Sequence, residues 1–272
     1  MKALQKLPLY LLAFFFLVLF GFPFLFLLLM SLKDQNSYIM DFWSMPKELY
    51  LNNFQAVFKG NFPTYFSNSL FVSFVTVSIV IFFASMAAYI LATSKFKLNT
   101  PIFLLFLAGM MIPMHTTLIP IYMLTSDLHM RDKVYGLLGP YISFGLPVAI
   151  YILTSFFKEV PHSIRESALI DGASPFLIYA RIMMPLSLPA ISTVGIYSFL
   201  QSWNEFIFAL TLINDPSQKT LPLGIKDFYA MQTINVPAVF AALLVASLPV
   251  MLFYFVAQEK VIQGLSSGAV KG

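Results

Sequence analysis

Long apolar stretches dominate this chain and leave very little charge for a water-exposed surface. Of its 272 residues, 59% are hydrophobic and only 10% are charged, whereas an ordinary soluble domain is about 25% charged. One water-soluble core cannot hide this much apolar surface, so a lipid bilayer is the natural second solvent. A large catalytic domain or a self-contained ATPase is excluded, because six spans of about 20 residues leave room only for loops and one modest polar module.

Six stretches are long and apolar enough to cross a bilayer as helices. They predict an all-α, polytopic membrane helix bundle that forms one transmembrane domain over residues 1–272, with spans at about 8–31, 66–93, 101–125, 134–157, 190–213 and 237–258. Proline and glycine inside the spans favour a packed bundle, because neighbouring helices satisfy the backbone groups that these residues free. The first stretch exceeds the 7–15 residues typical of a signal-peptide core, so we expect an uncleaved anchor.

The distribution of basic residues predicts the orientation of the chain. With the N-terminus in the cytoplasm, the inner segments carry nine basic and four acidic residues, whereas the outer loops carry seven of each. The short hairpin with Lys95 and Lys97 is the clearest case of the positive-inside rule, because short loops obey it best. Six spans then place both termini in the cytoplasm. Since the basic residues are scattered, the net charge of +4 does not indicate a nucleic-acid partner.

Two of the predicted outer loops are long, at residues 33–65 and 214–236. Both contain prolines and aromatic side chains. Two interpretations stay open for them: surface connectors, or a docking surface for an external partner.

The segment between the fourth and fifth spans, residues 158–189, is too polar to continue a span and too regular to be a slack loop. Pro161 can open a helix, helix formers continue through Ile170, and Gly172 permits the left-handed turn that ends it. Ser174 and the proline after it are typical of an N-cap and a first turn. A second helix then runs to about Met184, before prolines break it.

The result is a predicted helix-turn-helix across the cytoplasmic face, with Glu166 and Asp171 exposed near the turn. A short rigid helix with apolar knobs and a charge can sit in a groove of a partner protein. The alternative is an amphipathic helix that lies on lipid.

The same segment carries a specific spacing. Glu166, Ser167 and Ala168 are followed after three residues by Gly172, after nine more by Ile182, and after one more by Met184 and Pro185. This spacing resembles the EAA loop of ATP-binding-cassette (ABC) importer permeases, with Ser167 and Met184 as mild departures from the usual Ala and Leu. Together with IPMHTTLIPIYML at 112–124, WNEF at 203–206 and the tail at 264–272, it is similar to the carbohydrate branch, the subunit type of the maltose importer.

The resemblance implies a type I importer fold and a permease subunit that moves a sugar or oligosaccharide into the cytoplasm by alternating access. It implies a bacterial or archaeal inner membrane and four partners: a cytoplasmic ABC ATPase dimer, a second and different permease subunit, an external sugar-binding protein and membrane lipid. The chain itself is expected to bind no cofactor and not to be an enzyme, with ATP and Mg²⁺ in the partner ATPase. The absence of a GxxxxGK[ST] phosphate loop agrees with this division.

The resemblance also implies which residues meet the ATPase: Glu166, Ser167, Ala168, Asp171, Gly172 and Ala173. Glu166 would contact a basic group on the ATPase, Gly172 would form the turn, and Ala168 would be a close-packing position. For Asp171, a local cap of the turn is the other interpretation.

Polar residues inside spans cost free energy and therefore mark function or packing. The candidates for a hydrated sugar pathway are Ser73, Thr76, His115, Tyr197, Gln201, Asn204 and Glu205. Hydroxyl and amide groups can exchange hydrogen bonds with sugar hydroxyls, and a tyrosine can stack on a sugar face. The alternative is hydrogen bonding between helices; for His115 it is packing or gating, since no second ionisable group lies at helical spacing in its span.

Other functions leave weaker signals in the sequence. A related solute such as a glycerol phosphate ester would need arginines in the pathway, and the predicted spans contain none. A proton-coupled secondary carrier would need several intramembrane acids or bases, whereas Glu205 stands alone. A membrane enzyme would need a catalytic or metal-binding constellation, and neither catalytic residues nor a metal site are expected.

Overall fold

The computed structural model describes the backbone of residues 6–231 and 235–269, and the side chains of residues 6–226 and 235–256. Within these ranges every regular element is helical. The α-helices are α1 (Leu7–Ser31), α2 (Gln35–Met40), α3 (Asn52–Lys59), α4 (Phe62–Thr93), α5 (Asn99–Met110), α6 (Leu118–Asp127), α7 (Leu138–Glu159), α8 (His162–Ile170), α9 (Pro175–Leu186), α10 (Leu188–Trp203), α11 (Ile207–Leu212), α12 (Leu221–Met231) and α13 (Val236–Ala269). Short 3₁₀ turns lie at Met114–Thr117, Val134–Leu137 and Pro216–Gln218.

The helices reach the length and hydropathy that a bilayer requires. Four described helical stretches qualify singly as membrane spans, at Leu7–Ser31, Phe62–Thr93, Val134–Glu159 and Val236–Val256, and two bent helix pairs raise the number to as many as six. The prediction of an all-α membrane bundle is confirmed.

Two of the predicted spans are not single helices, and proline explains the first case. The third span bends by 90° between Asn99–Met110 and Met114–Asp127, because Pro113 lacks an N–H donor and disfavours helical geometry in the residue before it. The fifth predicted span, 190–213, was also wrong as one helix, since α10 ends at Trp203 and α11 begins at Ile207.

The chain divides into two compact units, and the first comprises Met1–Pro63 with Leu223–Pro249. Helix α1 in this unit buries no residue of its most apolar stretch, as expected for a helix that faces lipid or another chain. Behind it, the buried Asn53 donates hydrogen bonds to the main-chain oxygens of Ser31 at 2.8 Å and Lys33 at 2.7 Å. These bonds fold the segment between α1 and α3 back onto the end of α1.

The second unit comprises Thr64–Pro222 with Val250–Gly272. Its core brings α4, α7 and α10 together through small and branched side chains such as Val80, Ala84, Ile150 and Val194. Small residues let helices approach closely, which matters in a bilayer because lipid supplies no hydrophobic drive for helix association. Ala168 of α8 and two residues of α9 belong to the same core, so the polar segment is anchored in the bundle.

Candidate functional site

The turn between α8 and α9 has the geometry of a Schellman motif. Gly172 has a φ of +82°, its N–H donates to the Leu169 oxygen at 3.1 Å, and the Ala173 N–H donates to the Ala168 oxygen at 2.9 Å. These two bonds satisfy carbonyls that the end of α8 leaves without helical partners. The predicted left-handed turn at Gly172 is confirmed.

The start of α9 also follows from local chemistry. The Ser174 hydroxyl accepts a hydrogen bond from the Leu177 N–H at 3.3 Å, and Pro175 occupies the first helical turn. Because proline cannot donate and is pre-set for helical φ, this is the N-terminal signature that the sequence predicts. The predicted N-cap is confirmed.

Helix α9 ends at Leu186, within two residues of the predicted end near Met184. Pro185 does not break the helix, however, because the chain passes through a π-helical turn at Tyr179–Met183. Pro185 has no N–H for an ordinary helical bond, and its ring would collide with the carbonyl four residues earlier in a regular α-helix. The wider π turn accommodates the proline without ending the helix.

The predicted docking residues divide between surface and core. Glu166, Ser167, Asp171 and Gly172 are exposed, Ala173 is half-buried, and Ala168 is buried against the bundle core. Large apolar side chains surround the exposed polar groups: Ile170 is 85% exposed and Phe176 is 68% exposed. The tip of the turn therefore offers charged and apolar groups together.

The capping role considered for the Asp171 side chain is not seen. Its main-chain N–H donates to the Ser167 oxygen at 3.0 Å, but its carboxylate takes part in no hydrogen bond with the described residues. The turn is held by main-chain groups alone, so this side chain is available to a partner.

Glu205 lies where the fifth predicted span breaks. Its buried carboxylate accepts hydrogen bonds from the N–H groups of Phe208 at 2.7 Å and Ala209 at 3.2 Å, and from the Tyr141 hydroxyl at 2.7 Å. The first N–H groups of a helix lack partners and favour negative charge. Glu205 therefore caps α11 and ties it to α7, which is a structural role.

The sequence did not single out Tyr141, because a lone tyrosine in an apolar span is ordinary composition. With Glu205, Gln201 and Met114 it lines a narrow cleft. Of the predicted pathway residues, only Gln201 and Glu205 line this cleft.

The remaining pathway candidates separate by exposure. Tyr197 and Gln201 are exposed on α10, and Asn204 is exposed at the C-cap that follows it; their spacing of four and three residues places them on one side of the helix and its end. Asn204 also donates to the Leu200 oxygen at 2.9 Å. His115 is exposed in the 3₁₀ turn that bends the third span.

Ser73 and Thr76 lie away from the surface of their unit. Both are almost completely buried, at 0% and 1% exposure. Neither hydroxyl has a hydrogen-bond partner among the described residues, so neither provides the hydrogen bond between helices that was the alternative interpretation.

Known proteins resemble this chain over nearly its whole length. A family described as the inner membrane component of binding-protein-dependent transport systems matches residues 81–267. An ABC transporter permease protein of Caldicellulosiruptor sp. is 45% identical over 92% of this chain and 91% of its own. A permease protein for starch degradation products from Thermoanaerobacterium thermosulfurigenes is 34% identical over 92% and 91%, and an arabinooligosaccharide permease protein of Bacillus subtilis is 33% identical over 94% and 92%.

A solved structure confirms the predicted type I fold. A bacterial ABC transporter involved in the import of alginate, an acidic polysaccharide, matches with a TM-score of 0.80 and 20% identity over 95% of this chain and 96% of that chain. Both the family match and the 45% identical relative extend far beyond the turn between α8 and α9. The chain belongs to the family of binding-protein-dependent transport system inner membrane components, the membrane-embedded permeases of ABC transporters.

Proposed function

We propose that this chain is one permease subunit of an ATP-driven importer that carries a sugar or oligosaccharide into the cytoplasm by alternating access. The observation that carries the proposal is the exposed turn at Gly172, which two main-chain hydrogen bonds hold in place. This turn lies within the segment that has the EAA spacing. Relatives that transport starch degradation products and arabinooligosaccharides support a carbohydrate substrate.

The turn docks on the cytoplasmic ABC ATPase dimer. Glu166 meets a basic group of the ATPase, while Ser167, Asp171, Gly172 and Ala173 form the surrounding contact surface. The exposed apolar side chains near the turn fill a groove, as the anchors of a docked helix do. The buried Ala168 contributes indirectly, because it packs α8 against the bundle core.

The subunits of the proposed importer have separate tasks. The ATPase dimer holds ATP and Mg²⁺, and this chain holds neither. A second, different permease subunit completes the pathway, and an external binding protein delivers the sugar. The positive-inside charge distribution supports an orientation with both termini in the cytoplasm.

The exposed face of α10 forms this subunit's side of the sugar pathway. Tyr197 stacks on a sugar ring, and Gln201 and Asn204 exchange hydrogen bonds with its hydroxyls. His115 stands at the bend of the third span as a gating residue. Ser73 and Thr76 are buried and support the pathway wall without touching the sugar, and Glu205 holds the start of α11 at the edge of the cleft.

Charge reversal at the turn tests the proposal. Glu166→Lys should leave membrane insertion intact but weaken ATPase capture in a pull-down by at least about tenfold, because a like-charge contact costs several kcal/mol. Glu159→Lys is the matched control, since Glu159 is an exposed glutamate just before the turn segment. Normal capture by Glu166→Lys would contradict the docking. Measuring which sugars the proposed external binding protein binds tests the substrate class.

A further inference from the structure

Helix α4 carries a row of polar groups at its inner end. Ser85, Tyr89 and Thr93 follow one another at intervals of four residues, which places them on one helix face. The hydroxyls of Ser85 and Tyr89 and the main-chain oxygen of Thr93 bond to the coupling loop, residues 158–189. The row therefore joins α4 to both helices of the loop.

The first bond comes from α8. The Arg165 guanidinium donates to the main-chain oxygen of Thr93, which is the last residue of α4. The final carbonyls of a helix have no helical partner and favour a cation. The Arg165 guanidinium gives the terminal carbonyl a hydrogen-bond donor and also places a positive charge at the end of α4.

The next two bonds come from α9, on the other side of the Gly172 turn. The Tyr89 hydroxyl donates to the Pro175 oxygen at 3.2 Å, and the Tyr179 hydroxyl pairs with the Ser85 hydroxyl at 2.8 Å in a buried position. The rings of Tyr89 and Tyr179 also lie 5.4 Å apart, centroid to centroid. The coupling loop is thus bonded to α4 on both sides of its turn.

The outer end of the same helix is bonded to the outer segment 217–221. The Asn68 amide donates to the main-chain oxygens of Ser217 at 3.0 Å and Lys219 at 2.9 Å. The Ser69 hydroxyl accepts from the Leu221 N–H at 2.7 Å. From Ser69 to Thr93 an α-helix rises about 36 Å, which exceeds the hydrocarbon thickness of about 30 Å.

We propose that α4 is a transmission rod, which links the ATPase-driven coupling loop to the outer segment 217–221 through Arg165 at one end and Asn68 at the other. The proposal rests on the proposed function, since the force enters where the loop docks on the ATPase. Arg165 and Asn68 are positioning residues: they touch neither ATP nor sugar, but they make the two ends of α4 move with the segments bonded to them.

Paired spin labels on the assembled transporter test the rod. The chain has no native cysteine, so Ala180→Cys on the coupling loop and Pro216→Cys beside the outer segment, both exposed, label it directly. The distance between the labels should be the same without nucleotide and after trapping with ATP and vanadate. Arg165→Ala and Asn68→Ala should each broaden this distance distribution and shift it between the two states.

A second readout measures coupling. Arg165→Ala removes one of the hydrogen bonds at the ends of α4, and Asn68→Ala removes two. In each variant, stimulation of ATP hydrolysis by the external binding protein should fall by a factor of about ten or more, since about 1.4 kcal/mol corresponds to a factor of ten, with basal hydrolysis unchanged. Arg165→Lys should restore much of the stimulation, because it keeps a charged donor. Arg181→Ala, which removes an exposed arginine from the same loop, should match the wild type.

Two results would overturn the rod. One is a label distance that shifts in the wild type itself upon trapping, and the other is normal stimulation in both alanine variants. Loss of ATPase capture by Arg165→Ala would also overturn it, because it would make Arg165 a docking residue. Failure of the wild-type chain to capture the ATPase would instead refute the proposed function.

Discussion

The turn at Gly172 allows a quantitative test of how the coupling loop is held in shape. An L-residue with a side chain pays about 1–2 kcal/mol in the left-handed conformation, and Gly172 adopts it with a φ of +82°. A methyl group at this position meets no atom within 4 Å, so Gly172→Ala introduces no clash. The whole penalty is conformational.

Part of this penalty is offset in the unfolded chain. Replacing glycine by alanine reduces the freedom of the unfolded chain, which returns about 0.4–1 kcal/mol. The net cost of Gly172→Ala is therefore about 1 kcal/mol, which corresponds to a roughly fivefold larger population of the opened turn. Gly172→Asn should cost less, since asparagine enters the left-handed region more readily.

Amide hydrogen exchange measures this opening directly. The N–H groups of residue 172 and Ala173 make the two bonds of the Schellman motif, so their exchange should accelerate roughly fivefold in Gly172→Ala and less in Gly172→Asn. Gly60→Ala is the control, because Gly60 has an ordinary φ of −94° and open space around it. Equal exchange in wild type and Gly172→Ala, or faster exchange with asparagine than with alanine, would refute the reasoning.

Three further perturbations test other parts of the structure. Tyr141→Phe removes one of three donors to the Glu205 carboxylate and should cost about 1–3 kcal/mol, seen as a melting temperature lower by several degrees; an unchanged value would contradict the capping role. Asn53→Asp should open the segment between α1 and α3 to protease more than Asn53→Ala, because both variants lose the two hydrogen bonds but only aspartate also places a buried negative charge against the two carbonyl oxygens. The Asn214 N–H lowers the pKa of Asp132 below its usual 3.8, so this carboxylate stabilises its loop above about pH 4 and the contribution is lost as the pH falls through the lowered value. Protease cleavage near Asn214 should then rise only in acid, and Asp132→Asn should remove this pH dependence.

The parts of the coupling loop that the sequence predicts are those decided by neighbouring residues. The left-handed turn needs glycine at 172, and the start of α9 needs the hydroxyl of Ser174 followed by proline. Both features depend on residues that are close together in the chain, so the sequence alone is enough to predict them. The path of α9 through Pro185 cannot be predicted in this way. Whether this proline breaks the helix or is absorbed by a π turn depends on how Tyr179, bonded to Ser85, and Met183, in the bundle core, are packed.

The fifth span shows the same limit for a charged residue in an apolar stretch. The sequence makes Glu205 a candidate for the sugar pathway or for packing. Hydropathy treats 190–213 as one span because Gln201, Asn204 and Glu205 hardly change the average of this stretch. In the structure the helix stops at Trp203, and the break creates two unpaired N–H groups that need an acceptor away from water. Glu205 supplies it, while Asn204 beside it remains exposed. The break and the buried carboxylate therefore explain each other: without Glu205 the start of α11 would be unsatisfied, and without the break the carboxylate would have only the Tyr141 hydroxyl.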